Sequence, residues 1–324
     1  MKAIITTRYG APDVLQLREV EVPNPKDNEV LIRIHASPVT AADTMMRKGK
    51  PYFGRLFIGL TKPKNPIPGT GIAGVVQEIG KDVTLFQTGD EVFGEIVLGP
   101  GTNAEYVCVP QDGVLAKKPS NITFEEASTV SDGALTSICF LKDIADVKPG
   151  QKVLINGASG SLGTTAVQLA KSLGAEVTGV CSTSNLAMVK ELGADYVIDY
   201  TQEDFTRKEN MYDVIYDTVG KSSFSKCKNA LTMQGKYVSP VLSLPLLFQV
   251  MWTAYFGLKK ASFSATGLRP IPELRAYLKE LQVQLTNGSL RLIIDKRYNL
   301  DQAEKAHAYV DKGHKKGNVV LIMG

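Results

Sequence analysis

Histidine and cysteine are scarce in this chain: its 324 residues hold three of the first and four of the second. The cysteines, Cys108, Cys139, Cys181 and Cys227, each stand alone, with no CxxC or CxH spacing. That argues against a disulfide framework or a zinc knuckle, and for a reducing compartment, the cytoplasm. There is no arginine-rich or cysteine/histidine module, and the formal charge of +4 comes from basic residues interleaved with acidic ones. Nucleic acid is therefore not an expected partner. The phosphate loop of nucleotide hydrolases, GxxxxGK[ST], is missing as well. No signal peptide precedes Met1-Lys2-Ala3-Ile4-Ile5, which enters a strand pattern directly.

Charge is missing locally from residues 238–258, a stretch long enough to suggest a membrane span. Pro240 and Pro245, with Ser239 and Ser243, in its first half weigh against one. The expectation is a buried or lid-like helix packed against a sheet. The alternative is weak membrane-surface contact through residues 245–260, helped by Lys259 and Lys260.

What is present is an ordinary globular composition, 44% hydrophobic and 22% charged, with length for two cores. Residues 1–120 read as mostly β. The short runs 30–36, 71–80, 90–94 and 104–110, separated by Gly and Pro, suggest a curled, barrel-like sheet. Thr123 and Glu126 have capping-box spacing and open a helix. From Lys148-Pro149-Gly150 onward the chain alternates: strand 153–156, helix 164–173, strand 176–180, helix 185–192, then strands 196–199, 212–217 and 236–239. That βαβαβ order predicts a parallel sheet covered by helices on both faces. Residues 271–285 are amphipathic, 290–294 and 319–323 read as strands, and 300–310 as a helix. The fold class is α/β plus β. Expected domains are 1–120, 121–270, and a segment 271–324 returning to the first.

The most informative stretch is Val153-Leu154-Ile155-Asn156-Gly157-Ala158-Ser159-Gly160-Ser161-Leu162-Gly163. It reads as a buried strand, a glycine turn and a helix, the arrangement that binds a dinucleotide pyrophosphate on free N–H groups. Ser159, Gly160, Ser161, Leu162 and Gly163 would line it. The second strand ends in Cys181-Ser182-Thr183-Ser184-Asn185, with no Asp or Glu to hold an NAD ribose and repel a 2′-phosphate. Ser182, Thr183 and Asn185 offer hydroxyls and an amide instead, which favours NADPH, with NADH possible. Cys181 reads as a small buried filler. Tyr200 either meets the adenine or a phosphate, or packs on the surface. Thr218 and Val219 follow the next strand, on the ribose and nicotinamide side, with Asp217 holding their loop.

With these residues in view, the chain resembles the medium-chain dehydrogenase/reductase superfamily, in its zinc-free quinone oxidoreductase branch. The pieces that carry the resemblance are Ala36-Ser37-Pro38-Val39-Thr40-Ala41-Ala42-Asp43, Pro68-Gly69-Thr70-Gly71-Ile72-Ala73-Gly74-Val75-Val76, the glycine turn, Leu192-Gly193-Ala194-Asp195-Tyr196-Val197-Ile198-Asp199-Tyr200 and Gly313-His314-Lys315-Lys316-Gly317-Asn318-Val319-Val320. The resemblance implies a GroES-like barrel-type catalytic domain with an inserted Rossmann domain, a cleft between them, and a cytosolic, NADPH-dependent homodimer or homotetramer. It adds Thr136, Lys316 and Asn318 to the cofactor contacts. Zinc members carry Cys where this chain has Thr40, His-Glu where it has Thr70-Gly71, and a third ligand near Asp132. Two threonine hydroxyls and one carboxylate do not make a zinc site, so no metal is expected.

The chain departs from the branch in having Thr40 for Asn, Met45 for Tyr, and Pro51 with Tyr52 one step on. Ser184 and Asn185 stand where a lysine often grips the 2′-phosphate, and Lys316 replaces Arg. The expected reaction is hydride reduction of a quinone or an α,β-unsaturated carbonyl, a small apolar acceptor. Thr40 would donate to the developing oxyanion, and Tyr52 is the second candidate. His35 reads as a packed core residue. Asp43 reads either as a loop-fixing carboxylate or as a direct participant. The rival readings are an alcohol dehydrogenase with metal at Asp132, and a non-enzymatic NADPH-binding sensor or structural protein.

Overall fold

The computed structural model describes residues 1–96 and 99–324, and all of their side chains but that of Leu268. The chain divides into two compact units, residues 1–132 with 269–324, and residues 133–268.

The unit of residues 133–268 is built on a six-stranded sheet. Its strands are Tyr196–Asp199, Glu176–Cys181, Lys152–Asn156, Tyr212–Asp217, Leu231–Ser239 and Lys260–Phe263, side by side in that order. Every neighbouring pair is parallel. In chain order this is 3-2-1-4-5-6, the doubly wound dinucleotide-binding arrangement. The central strands are buried along nearly their full length, which is why they read as unbroken apolar runs. Leu154, Val180, Ile215 and Tyr237 join one core. The edge strand Lys260–Phe263 has too few apolar residues to stand out in sequence.

The other unit holds a seven-stranded sheet around the eleven-residue strand Glu29–Val39. That strand pairs antiparallel with Gly71–Ile79, Tyr106–Pro110 and the C-terminal strand Asn318–Ile322. Ile32, Ile34, Ile72, Val92, Val319 and Leu321 form its core.

Three expectations need correction. The strand expected at 290–294 is Ile294–Asn299, an edge strand parallel to Asn318–Ile322. Its Lys296 and Arg297 are exposed, as edge strands allow, while Leu290 and Leu292 are buried from a loop. The helix expected from 164 begins at Ser161. The apolar stretch forms the helix Leu244–Tyr255, but only Leu246 and Thr253 of it are buried. Among the described residues, no helix is long and apolar enough to cross a membrane.

Candidate functional site

In the parallel unit, the chain leaves the Lys152–Asn156 strand through Gly157 at φ 82°. A Cβ there would stand 2.3 Å from Val219 Cγ2 and 2.7 Å from Thr218 Oγ1, so two strand-end loops meet at this glycine. A Cβ on Gly163 would lie 2.1 Å from the Gly157 carbonyl, so the new helix packs directly on the turn. Gly160 differs: its Cβ would meet nothing closer than 3.4 Å, which leaves that face open. Gly160 is the N-cap of the Ser161–Ser172 helix and supplies no side-chain cap. The first turn, including Leu162 and Gly163, therefore presents N–H groups and the positive end of the helix dipole to whatever approaches Gly160. This cradle fits a pyrophosphate.

The next loops converge on the same end of the sheet. Asn185 is 7% exposed, and its Nδ2 donates to Ser159 Oγ at 3.2 Å and Ser182 Oγ at 3.1 Å, while its Oδ1 has no partner. Both serines accept, so their hydroxyl hydrogens remain for a ligand. Thr183 does not share that freedom, because its hydroxyl donates to Asp199 Oδ2. The expectation of a purely neutral ribose loop thus needs correction. Asp199 ends the Tyr196–Asp199 strand opposite Cys181 and brings a carboxylate under Thr183. Thr201 also donates to Asp199, through its N–H at 2.9 Å and its hydroxyl at 2.7 Å. The Thr183 hydrogen bond leads in holding Asp199 below the usual carboxylate range. Tyr200 is 53% exposed, with its N–H on the Cys181 carbonyl at 3.1 Å. Burial pushes the Cys181 thiol up to about 11, as a packing role requires.

Asp217 organises the third loop. Its carboxylate accepts from Tyr237 Oη at 2.8 Å, Asn156 Nδ2 at 2.9 Å, and the N–H groups of Val219, Gly220 and Ser222 at 3.1, 3.0 and 3.2 Å. Thr218 donates to the Asn156 carbonyl at 2.8 Å. Thr136 accepts from the Thr266 hydroxyl at 2.9 Å.

In the other unit, Thr40 caps the helix Ala41–Lys48 through a reciprocal box with Asp43. Asp43 Oδ2 accepts from Thr40 N and Thr40 Oγ1, each at 2.8 Å, and Thr40 Oγ1 accepts from Asp43 N at 3.0 Å. Asp43 Oδ1 is buried without a partner. Burial pushes Asp43 up to about 6, against the pull of the Thr40 hydrogen bonds; Asp132 adds to the rise and Lys315 opposes it. Burial, reinforced by Asp132 and Asp43, pushes Glu95 up to about 8. Burial also lowers Lys315, while Asp132, Asp43 and Asp295 resist. Sequence reasoning missed Glu95 and Lys315. The Thr-x-x-Asp spacing of Thr40 and Asp43 was a readable cap signal; an isolated Glu ending a strand, or one Lys among three basic neighbours, was not.

Tyr52 is 66% exposed, and its ring contacts are Lys50 and Arg55 rather than Thr40. Lys316 is exposed and donates its N–H to Asp295 at 2.9 Å. Asn318 is 1% exposed, and its amide donates to the Ile293 carbonyl at 3.0 Å. His35 stacks on Phe124 with ring centroids 4.4 Å apart, and burial lowers its pKa.

Two family descriptions match the chain: an alcohol dehydrogenase GroES-like domain over residues 26–120 and a zinc-binding dehydrogenase over residues 192–321. A 2-methylene-furan-3-one reductase from Solanum lycopersicum is 32% identical, over 99% of this chain and 79% of that protein. The structure of a quinone oxidoreductase from Coxiella burnetii superimposes with a TM-score of 0.88 at 29% identity, covering 99% of both chains. The Escherichia coli quinone oxidoreductase complexed with NADPH gives 0.86 at 25% identity, over 99% of this chain and 100% of that one. Fold and loops together define a nucleotide-linked oxidoreductase. More particularly, the chain belongs to the medium-chain dehydrogenase/reductase superfamily, in its quinone-oxidoreductase-like branch.

The zinc of the family description does not fit the donors present. Thr40 Oγ1 is bound up with Asp43. Among the described residues, no three His, Cys, Asp or Glu side chains come together to hold a metal.

Proposed function

We infer that this chain is an NADPH-dependent reductase of quinones or α,β-unsaturated carbonyls that works without metal. One observation carries the reading: the uncapped helix start at Gly160, open on one side and walled by Gly157 and Gly163, in a chain of this family. NADPH, when bound, supplies the hydride. The chain's own residues bind and orient it. Leu162 and Gly163 offer backbone N–H groups, Ser159 and Ser182 offer hydroxyl hydrogens, and the Asp217 loop fixes Thr218 and Val219. Ser161, Asn185, Tyr200, Thr136, Lys316 and Asn318 complete the proposed contacts. Asp199 beneath Thr183 is the feature that keeps NADH as a second cofactor, because a carboxylate disfavours a 2′-phosphate.

Hydride arrival leaves negative charge on the acceptor oxygen, which a proton must neutralise. Thr40 and Asp43 are a relay for it. While Asp43 is ionised, the Thr40 hydrogen points at its carboxylate. When Asp43 takes up a proton it donates to Thr40 Oγ1, and the Thr40 hydrogen turns to the acceptor. Asp43 titrates at about 6, so the relay is loaded below that pH and empties above it. Tyr52 is a second, exposed donor. The acceptor is a small apolar carbonyl or quinone, and the working form is a cytoplasmic homodimer.

The test is oxidation of NADPH, and separately of NADH, against a panel of quinones and enones, with and without EDTA. Turnover unchanged by EDTA and faster with NADPH supports the reading. Tight cofactor binding without turnover of any acceptor overturns it.

A further inference from the structure

We propose that the helix Leu244–Tyr255 docks on the surface of an anionic lipid membrane. This goes beyond the reductase reading and does not depend on it.

The inner face of the helix is accounted for. Leu246 is 5% exposed and joins the core of its unit, with Val250 packed beside it. Thr253 Oγ1 accepts from Ala261 N at 3.0 Å, which fastens the helix to the sheet edge. The outer face is different. Leu244, Phe248, Met251, Trp252 and Tyr255 are 67%, 67%, 70%, 56% and 85% exposed. At about 100° per residue, their spacing puts all five inside an arc of about 100°. Phe248, Trp252 and Phe256 run along the strip with successive ring centroids 6.3 and 4.7 Å apart. A continuous apolar strip rimmed by polar residues marks an interaction surface.

Charge says what covers it. Residues 218–272 contain six lysines, Arg269 and no Asp or Glu. The short helix Phe224–Cys227 and the residue after it carry exposed Lys226 and Lys228. That segment touches the strip's helix where Gln249 Nε2 donates to Ser225 Oγ at 2.8 Å. Lys259 follows the helix, and its Nζ donates to the carbonyls of Lys228 and Leu231 at 2.7 and 2.8 Å, tying the two basic segments together. A second copy seated here by a two-fold axis would set basic rim against basic rim. A bilayer with anionic headgroups meets both needs: the aromatics, Leu and Met enter the acyl boundary and the lysines sit at phosphate level. Twelve residues are too few to span a membrane, so the helix lies in the interface.

Trp252 is the only tryptophan in the chain, so its fluorescence reports this face alone. Vesicles of phosphatidylcholine with phosphatidylglycerol should shift its emission to the blue, and bromine-labelled acyl chains should quench it. Vesicles of phosphatidylcholine alone should do much less. Lys226→Gln and Lys228→Gln should each weaken binding to the anionic vesicles about fivefold. Phe248→Ser with Met251→Ser should abolish the quenching while far-UV circular dichroism stays that of the parent. An emission unmoved by anionic vesicles overturns the proposal, as does an equal response to both lipids. So does a blue shift that grows with protein concentration without lipid, which assigns the face to self-association. A shift produced by a short-chain quinone alone also overturns it, and assigns the strip to the acceptor.

Discussion

Asp217 and Asp43 are both carboxylates with almost no exposure, 0% and 1%, one in each unit. Their surroundings differ. Asp217 receives five hydrogen bonds, spread over both oxygens, three from loop N–H groups. Asp43 receives two, both from Thr40 and both on one oxygen, and the other oxygen has none. The first has both oxygens supplied with donors by the protein itself, which fixes a loop. The second is half-solvated, and burial raises it to about 6, where a proton comes and goes near neutral pH. Burial alone therefore does not distinguish a structural carboxylate from a reactive one; the number and placement of donors does.

The largest effect that could break this comparison is at Asp217. Replacing it by Ala strands the Tyr237 hydroxyl, the Asn156 amide and three N–H groups, and should cost about 3–5 kcal/mol in denaturant unfolding. A loss under about 1 kcal/mol would mean that water replaces the carboxylate, and the loop is not pinned as described.

Asp43→Asn comes next. An amide keeps the shape and one acceptor but takes up no proton in this range. Turnover below pH 6 should fall about 10²-fold. The rise in turnover expected of the parent as pH falls through about 6 should flatten. Thr40→Ala should do the same and Thr40→Ser should restore it. If Asp43→Asn lowers turnover equally at every pH, Asp43 only caps its helix.

The two carboxylates were not equally legible. Asp217 ends an apolar strand one step before Thr-Val-Gly, so a turn-holding role could be read from position. Its partners Tyr237 and Asn156 lie 20 and 61 residues away in sequence and come together only through the parallel sheet. The glycine turn was legible because each small residue answers a local need: positive φ at Gly157, and close helix contact at Gly163. Glu95, Asp132 and Lys315 were not, because the influence of Asp132 and Lys315 on Asp43, and of Asp132 and Asp43 on Glu95, joins segments far apart in the chain. The outward face of Leu244–Tyr255 was hidden for another reason: a hydrophobic run tells how apolar a helix is, not which neighbour covers it.

Glu95 gives a smaller, pH-dependent effect. Its folded value of about 8 lies above the ordinary 4.5. Folding therefore favours the protonated form, and that contribution is complete below 4.5 and lost as pH rises to about 8. Glu95→Gln should leave acid stability near the parent's and gain about 1–3 kcal/mol by pH 8, read from urea midpoints across pH. A constant difference at all pH values would assign the effect to packing.

The smallest effect sharpens the comparison with a third carboxylate. Asp199 has donors on both oxygens, as Asp217 does, yet lies at a strand end beneath Thr183. Its pKa is lowered, first by the Thr183 hydrogen bond, so it stays ionised at working pH and repels a 2′-phosphate without titrating. Asp199→Asn removes that charge but keeps one acceptor for Thr183 or Thr201. KM for NADPH should fall about threefold, KM for NADH should move little, and kcat should hold, since one charge beside a solvated phosphate changes affinity only modestly. The ratio of the two KM values should not vary with pH between 6 and 8, unlike the Asp43 effect on turnover. Equal changes for both cofactors would make Asp199 a loop pin of the Asp217 kind. A change confined to NADPH would make it a carboxylate that is fully dressed and still selects its ligand, by the position of its charge rather than by a missing donor.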